Sequence, residues 1–181
     1  MNYQGRNYAV VAVEEHFMHE SLALHLGTAA NAPDHIRQRL YDFAGIRLQE
    51  MDAAGIGIQV LSHQSPGSQR LGADVALDAC RAVNDALAGV TRELPDRFAG
   101  FAMIPTTSPS AAADELQRAV EELGLKGAMI HGLNHGHFVD TPEYWPIYAR
   151  AEALDVPVYL HPALPDRRVT ETYYAPYDDS H

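Results

Sequence analysis

Short apolar runs alternate along this chain with longer stretches of helical periodicity. Residues 9–13 (AVVAV), 58–62 (IQVLS), 98–104 (FAGFAMI), 127–130 (GAMI) and 156–160 (VPVYL) are apolar or nearly so, the pattern of strands covered on both faces. Between them the apolar positions recur at helical spacing. Ile36, Leu40 and Phe43 mark a helix from about Asp34, and residues 46–54 form a second piece that Gly55 ends as a C′ residue. Leu77, Cys80, Val83, Leu87 and Val90 mark a helix from about Asp74. Ser108 stands at an N-cap with Pro109 at the first helical position, Leu116, Val120 and Leu123 form the buried stripe, and Gly124 ends that helix. Thr141-Pro142 opens another, over 143–154.

Strands that alternate with helices predict βαβ units and a parallel sheet. Polar side chains collect where the apolar runs stop: Glu14, His16, Ser62, His63, His131 and His161. In a (β/α) barrel that rim carries the chemistry. Residues i and i+2 of a strand face the same side, about 7 Å apart, so Glu14 and His16 project together and Glu15 turns away. His161, ending another buried run, can converge on them. One carboxylate and two imidazoles form a set of donors for a divalent metal ion. A barrel of eight units usually takes about 250 residues. The chain has 181 residues, enough for one domain over 1–181, and five strands are legible in it. It therefore reads as the first five units of a (β/α)8 TIM barrel of the metal-dependent hydrolase type, with residues 166–181 as the loop after the fifth strand.

Charge removes several function classes. A net charge of −11, from 13 Lys and Arg against 24 Asp and Glu, argues against nucleic acid and against an anionic membrane surface. The apolar start stops at Glu14, too short for a signal-peptide core, and no run is long enough to span a bilayer. The expectation is a soluble cytoplasmic protein. Cys80 is the only cysteine, so there is no intrachain disulfide and no thiolate cluster, and its helical setting makes it a core residue. Lys126 is the only lysine. It precedes the fourth strand, at the end away from the acidic and histidine rim, where it cannot bridge two metals. No nucleophile elbow or phosphate loop is present, and the Gly55-Ile56-Gly57 turn precedes a strand rather than a helix, unlike a dinucleotide fingerprint.

The segments VAVEEHF (11–17), RLQEMDAAGIGIQVLS (47–62), AVNDALAG (82–89), LPDRFAGFAMIP (94–105), ELQRAVEELGLKGAMIHG (115–132) and YWPIYARAEALDVPVYLHP (144–162) resemble the amidohydrolase-related decarboxylases, most closely the γ-resorcylate and 2,3-dihydroxybenzoate decarboxylase group. They stand in the family's order and cover nearly the whole chain. The resemblance implies an eight-stranded barrel with one divalent ion, Zn²⁺ or Mn²⁺, held by Glu14, His16 and His161, a small aromatic acid as substrate, and a homo-oligomer. It also implies a fourth ligand, an aspartate on strand eight that protonates the ring carbon, and a histidine after strand six, both expected beyond residue 181. His131 departs from the pattern, since close relatives often carry asparagine there beside the substrate.

Phe17 and His131 are candidate substrate contacts, although Phe17 equally suits a core. His135 and His137 read as solvated loop residues, and His63 either lines the pocket or caps the loop. The leading expectation is non-oxidative decarboxylation of an ortho-hydroxybenzoate. Metal-dependent hydrolysis of a lactone is an alternative, and an inactive partial barrel is another.

Overall fold

The computed structural model describes residues 2–3, 6–7, 9–22, 32–162 and 165–175. After a short antiparallel ladder, Asn2–Tyr3 with Arg6–Asn7, the fold is built from β1 (Val11–Phe17), α1 (Asp34–Tyr41), α2 (Ile46–Ala54), β2 (Ile58–His63), α3 (Ala73–Glu93), β3 (Phe98–Gly100), β4 (Ala102–Met103), α4 (Pro109–Glu121), β5 (Ala128–His131), α5 (Trp145–Ala153) and β6 (Val158–His161). All main strand pairs are parallel, in the orders β1-β2-β3 and β4-β5-β6. β3 and β4 are the two parts of the third expected strand. Phe101 between them donates its N–H to Leu61 O, while Ala102 donates to Gly127 O, so the chain changes partners there and the sheet curves. The result is an α/β fold, a partial (β/α) barrel.

Alternation along the strands sorts side chains between two layers. Leu61 and Ile130 join Val83, Leu87, Leu116 and Ile147 in the main core between strands and helices. Val60, Phe101 and Met129 face inward and form a smaller cluster with Ala99 and Tyr159, the floor beneath the rim. Cys80 is fully buried, and burial pushes its thiol well above the ordinary range. On the outer strands, Val11 and Val13 of β1 and Leu160 of β6 are about half exposed (48%, 46% and 59%).

Several expected boundaries shift. The first strand runs through Glu14, Glu15 and His16 to Phe17, because backbone pairing of Glu15, His16 and Phe17 with Leu61, Ser62 and His63 outweighs their polarity. His161 lies within the last strand, paired with His131. Ser108 occupies the N-cap, but its side chain makes no capping bond. Ile36 stays 41% exposed, and α1 buries no residue completely. The stretch expected as a loop from Asp166 contains helical turns over Arg167–Val169 and Thr170–Tyr174, while residues 176–181 lie outside the described set.

Two glycines are required by geometry. Gly55 closes α2 at φ 68°, its N–H bonded to Asp52 O, the left-handed cap that side chains resist. Gly127 sits at φ 149°, and a Cβ there would lie 2.3 Å from Pro157 O, so only glycine lets β5 and the entry to β6 come this close.

Candidate metal centre

The register of β1 against β2 pairs Ala12 with Gln59 and Glu15 with Leu61. One extra residue is thus accommodated at Val13–Glu14, a bulge of the kind that re-aims a side chain at a strand end. Glu14 and His16 turn to the inner face, and His161 reaches them from β6. One donor atom from each of the three lies within 4.8 Å of the others. His161 Nε2 is 3.0 Å from Glu14 Oε1 and 3.1 Å from His16 Nε2.

The outer hydrogen bonds fit these atoms to a cation. His161 Nδ1 contacts the Pro162 carbonyl, which only accepts, so Nδ1 carries a proton and Nε2 is the nitrogen turned inward, where a cation would take its lone pair. His16 Nδ1 lies 3.2 Å from Ser62 Oγ, a hydroxyl that can accept and so free the His16 Nε2 lone pair as well. A histidine that ligates a metal characteristically donates its other N–H in this way. Glu14 accepts from the Tyr159 hydroxyl at 2.5 Å. That bond, with the nearby imidazoles, holds its carboxyl below the usual range. Burial and the neighbouring His161 lower the pKa of His16. Two imidazole lone pairs and a carboxylate oxygen turned toward one point repel each other until a positive charge stands between them.

The backbone behind these donors is fixed by Arg47, which is buried. Its guanidinium donates to His16 O at 2.7 Å, Asp42 O at 2.9 Å, Arg39 O at 3.0 Å and Gln59 Oε1 at 3.0 Å. Glu15 lies beside Arg47, Arg39 and Leu40 in a cleft of about 470 Å³ at the open edge of β1, whose lining also takes in Glu14 and His16. Phe17 lies on the outer face of β1. It is 1% exposed in the main core, its ring against Phe43 and His63. The strand alternation that turns Glu15 away turns Phe17 away as well, so as a core residue it is no substrate contact.

His131 stands beside the centre, its ring centroid 4.8 Å from that of His161 and 5.9 Å from that of His16. Its Nε2–H donates to His63 O at 2.8 Å, and its buried Nδ1 has no hydrogen-bond partner among the described residues. His63 caps the loop: it contacts Gln64 O at 2.9 Å through Nδ1 and accepts the His19 N–H at 3.2 Å. His135 and His137 are exposed on the loop after β5, as expected, and Lys126 precedes β5 at the other end of the sheet. Tyr159 and Arg47 are the partners that reading the sequence for donors passes over. The Tyr-x-His spacing was the available signal for the first, since it places both side chains on one face.

A family model for amidohydrolases matches residues 13–180. The chain belongs to the amidohydrolase family. It is 38% identical to a gamma-resorcylate decarboxylase of Rhodococcus jostii (strain RHA1), over 89% of this chain and 54% of that one. The dihydroxybenzoic acid decarboxylase of Polaromonas sp. JS666, solved with bound manganese and the inhibitor 2-nitroresorcinol, superposes with a TM-score of 0.82 at 36% identity, covering 91% of this chain and 52% of that one. The 5-carboxyvanillate decarboxylase of Novosphingobium aromaticivorans, complexed with manganese and 4-hydroxy-3-methoxy-5-nitrobenzoic acid, gives 0.84 at 31% identity, covering 96% and 56%. The amidohydrolase chain thus spans about half the length of the relatives it matches, and the resemblance read from its sequence holds. Among the described residues of this amidohydrolase, no helix is long and apolar enough to cross a membrane.

Acid should loosen the rim. Burial depresses His63 and His131 to about 4, below the ordinary value of about 6.5 in an unfolded chain. Between those values the unfolded state binds more protons, so stability rises with pH. Their contribution is complete above about pH 6.5 and is lost as pH falls through about 4, on the order of a few kcal/mol together. Urea midpoints of the metal-free protein at pH 7 and pH 4.5 check this, with a marked fall expected at the lower pH.

Proposed function

We propose that the protein is a metal-dependent carboxy-lyase that removes CO₂ from a hydroxybenzoate-type acid without oxidation. The observation that carries the proposal is the meeting of Glu14 Oε1, His16 Nε2 and His161 Nε2 within 4.8 Å at the inner rim. It is supported by relatives named as decarboxylases of aromatic acids. The three side chains hold one divalent ion, Mn²⁺ or Zn²⁺. When bound, the ion supplies positive charge that fixes a phenolate and its neighbouring carboxylate in one orientation.

The protein's own groups do the rest of the binding. The floor of Val60, Phe101, Met129 and Tyr159 gives an aromatic ring an apolar surface beneath the rim. His131 is a substrate contact in this reading. With its Nε2–H committed to His63 O, it offers a lone pair at Nδ1, which suits a phenolic O–H and not a carboxylate. Loss of CO₂ leaves the electron pair on the ring carbon, which takes up a proton.

The test is CO₂ release from γ-resorcylate and 2,3-dihydroxybenzoate by the manganese-loaded protein, run beside a panel of lactones. Release that stops on chelation is expected. Lactone hydrolysis without CO₂ release, or no turnover of any hydroxybenzoate, refutes the proposal.

A further inference from the structure

We infer that Tyr159 is a positioning residue that makes Glu14 a one-oxygen ligand, holding one carboxylate oxygen back and presenting the other to the ion. The inference rests on the metal-binding reading above and goes beyond it in assigning a role to a residue outside the donor set. Tyr159 and His161 are two residues apart on β6 and face the same side. The phenol ring stacks on Phe101, with centroids 6.0 Å apart and planes at 30°, within the floor cluster that includes Val60 and Met129. The ring is thus anchored from below, and its hydroxyl is held at a fixed height under the rim.

From there the hydroxyl donates to Glu14 Oε2 at 2.5 Å. The other oxygen, Oε1, is the one 3.0 Å from His161 Nε2. The carboxylate is therefore divided: Oε2 faces the floor and Oε1 faces the two imidazoles. The Glu14 side chain is 44% exposed, so packing alone does not fix its orientation. Among the described residues, the Tyr159 hydroxyl is the side-chain group that donates to Glu14, and it engages Oε2, while His161 Nε2 lies beside Oε1. Without that bond the carboxylate is free to turn about its last torsion and offer both oxygens.

Tyr159→Phe tests this cleanly, because it keeps the ring on Phe101 and removes only the donor. Three quantities are measured on wild type and variant: the urea midpoint without metal, the Zn²⁺ dissociation constant by chelator competition, and the zinc coordination shell by X-ray absorption. The expected variant unfolds at the wild-type midpoint and binds Zn²⁺ roughly 10–100-fold more weakly, the usual effect of losing an outer partner. Its shell gains an oxygen neighbour as the freed carboxylate swings to two-oxygen binding. Equal affinity and an identical shell overturn the inference, as does a loss of affinity that merely follows a lowered midpoint. A wild-type protein that binds no Zn²⁺ removes the metal reading itself. A wild type that binds, with a variant indistinguishable from it, removes only the role of Tyr159.

Discussion

His161→Ala should abolish stoichiometric metal binding. Elemental analysis of protein dialysed against a weak chelator is expected to find metal in the wild type and almost none in the variant. The loss should exceed the roughly 10–100-fold that follows removal of an outer hydrogen-bond partner, because an inner donor disappears. His161 is also the atom that links the set, 3.0 Å from Glu14 Oε1 and 3.1 Å from His16 Nε2. Its removal leaves donors from a single strand, and nothing on β6 to close the site. The metal-free variant should keep most of its stability, since deleting one of three crowded donors relieves repulsion. His137→Ala is the control. That imidazole is exposed on the loop after β5, and its loss should leave occupancy unchanged. Retained metal in His161→Ala would place the ion elsewhere.

The largest loss of stability is expected from Asn84→Ala. Asn84 is completely buried on α3. Its Oδ1 accepts from Met103 N–H at 2.9 Å, and its Nδ2 donates to Met103 O at 2.9 Å and to Glu115 Oε1 at 2.8 Å. One amide thus ties α3 to β4 and to the buried carboxylate of α4, which also accepts from Arg118 at 2.8 Å. Truncation strips partners from groups that water cannot reach, at about 1–3 kcal/mol for each group left unsatisfied, together roughly 3–5 kcal/mol. Denaturant unfolding of the metal-free protein measures it. Arg37→Ala, which breaks an exposed pair with Asp34, should cost less than about 1 kcal/mol. A comparable effect for the two would contradict this account of what holds the helices to the strands.

Much of the architecture could be read from the chain because its local signals agree. Helix α2 ends where Gly55 places its left-handed cap, and residues 46–54 were expected as helical from that glycine and the apolar spacing. The inward set at the rim followed from alternation, since Glu14 and His16 are two apart after an apolar run. Where the reading failed, pairing had overridden composition. By composition polar Glu14 to His16 lie beyond the first strand, yet after the bulge at Val13–Glu14 the chain pairs with β2 again through Glu15, His16 and Phe17. Phe17 suits either the site mouth or a core by sequence, and since neighbours on a strand face opposite layers it lies across from His16 in the core. The break at Phe101 has no local signature, because it arises where one strand hands its bonds from Leu61 to Gly127 across the curve of the sheet.

By itself, the order of residues determined the alternation of strands and helices, the layer each side chain occupies, and the donors available at the strand ends. These are properties of neighbours along the backbone. Only the folded chain decided that Glu14 and His161 approach within 3.0 Å, that the Tyr159 hydroxyl takes one oxygen of Glu14, and that Arg47 grips the His16 carbonyl. Those contacts join elements far apart in sequence, and their distances are set by sheet curvature and register, which no local pattern encodes.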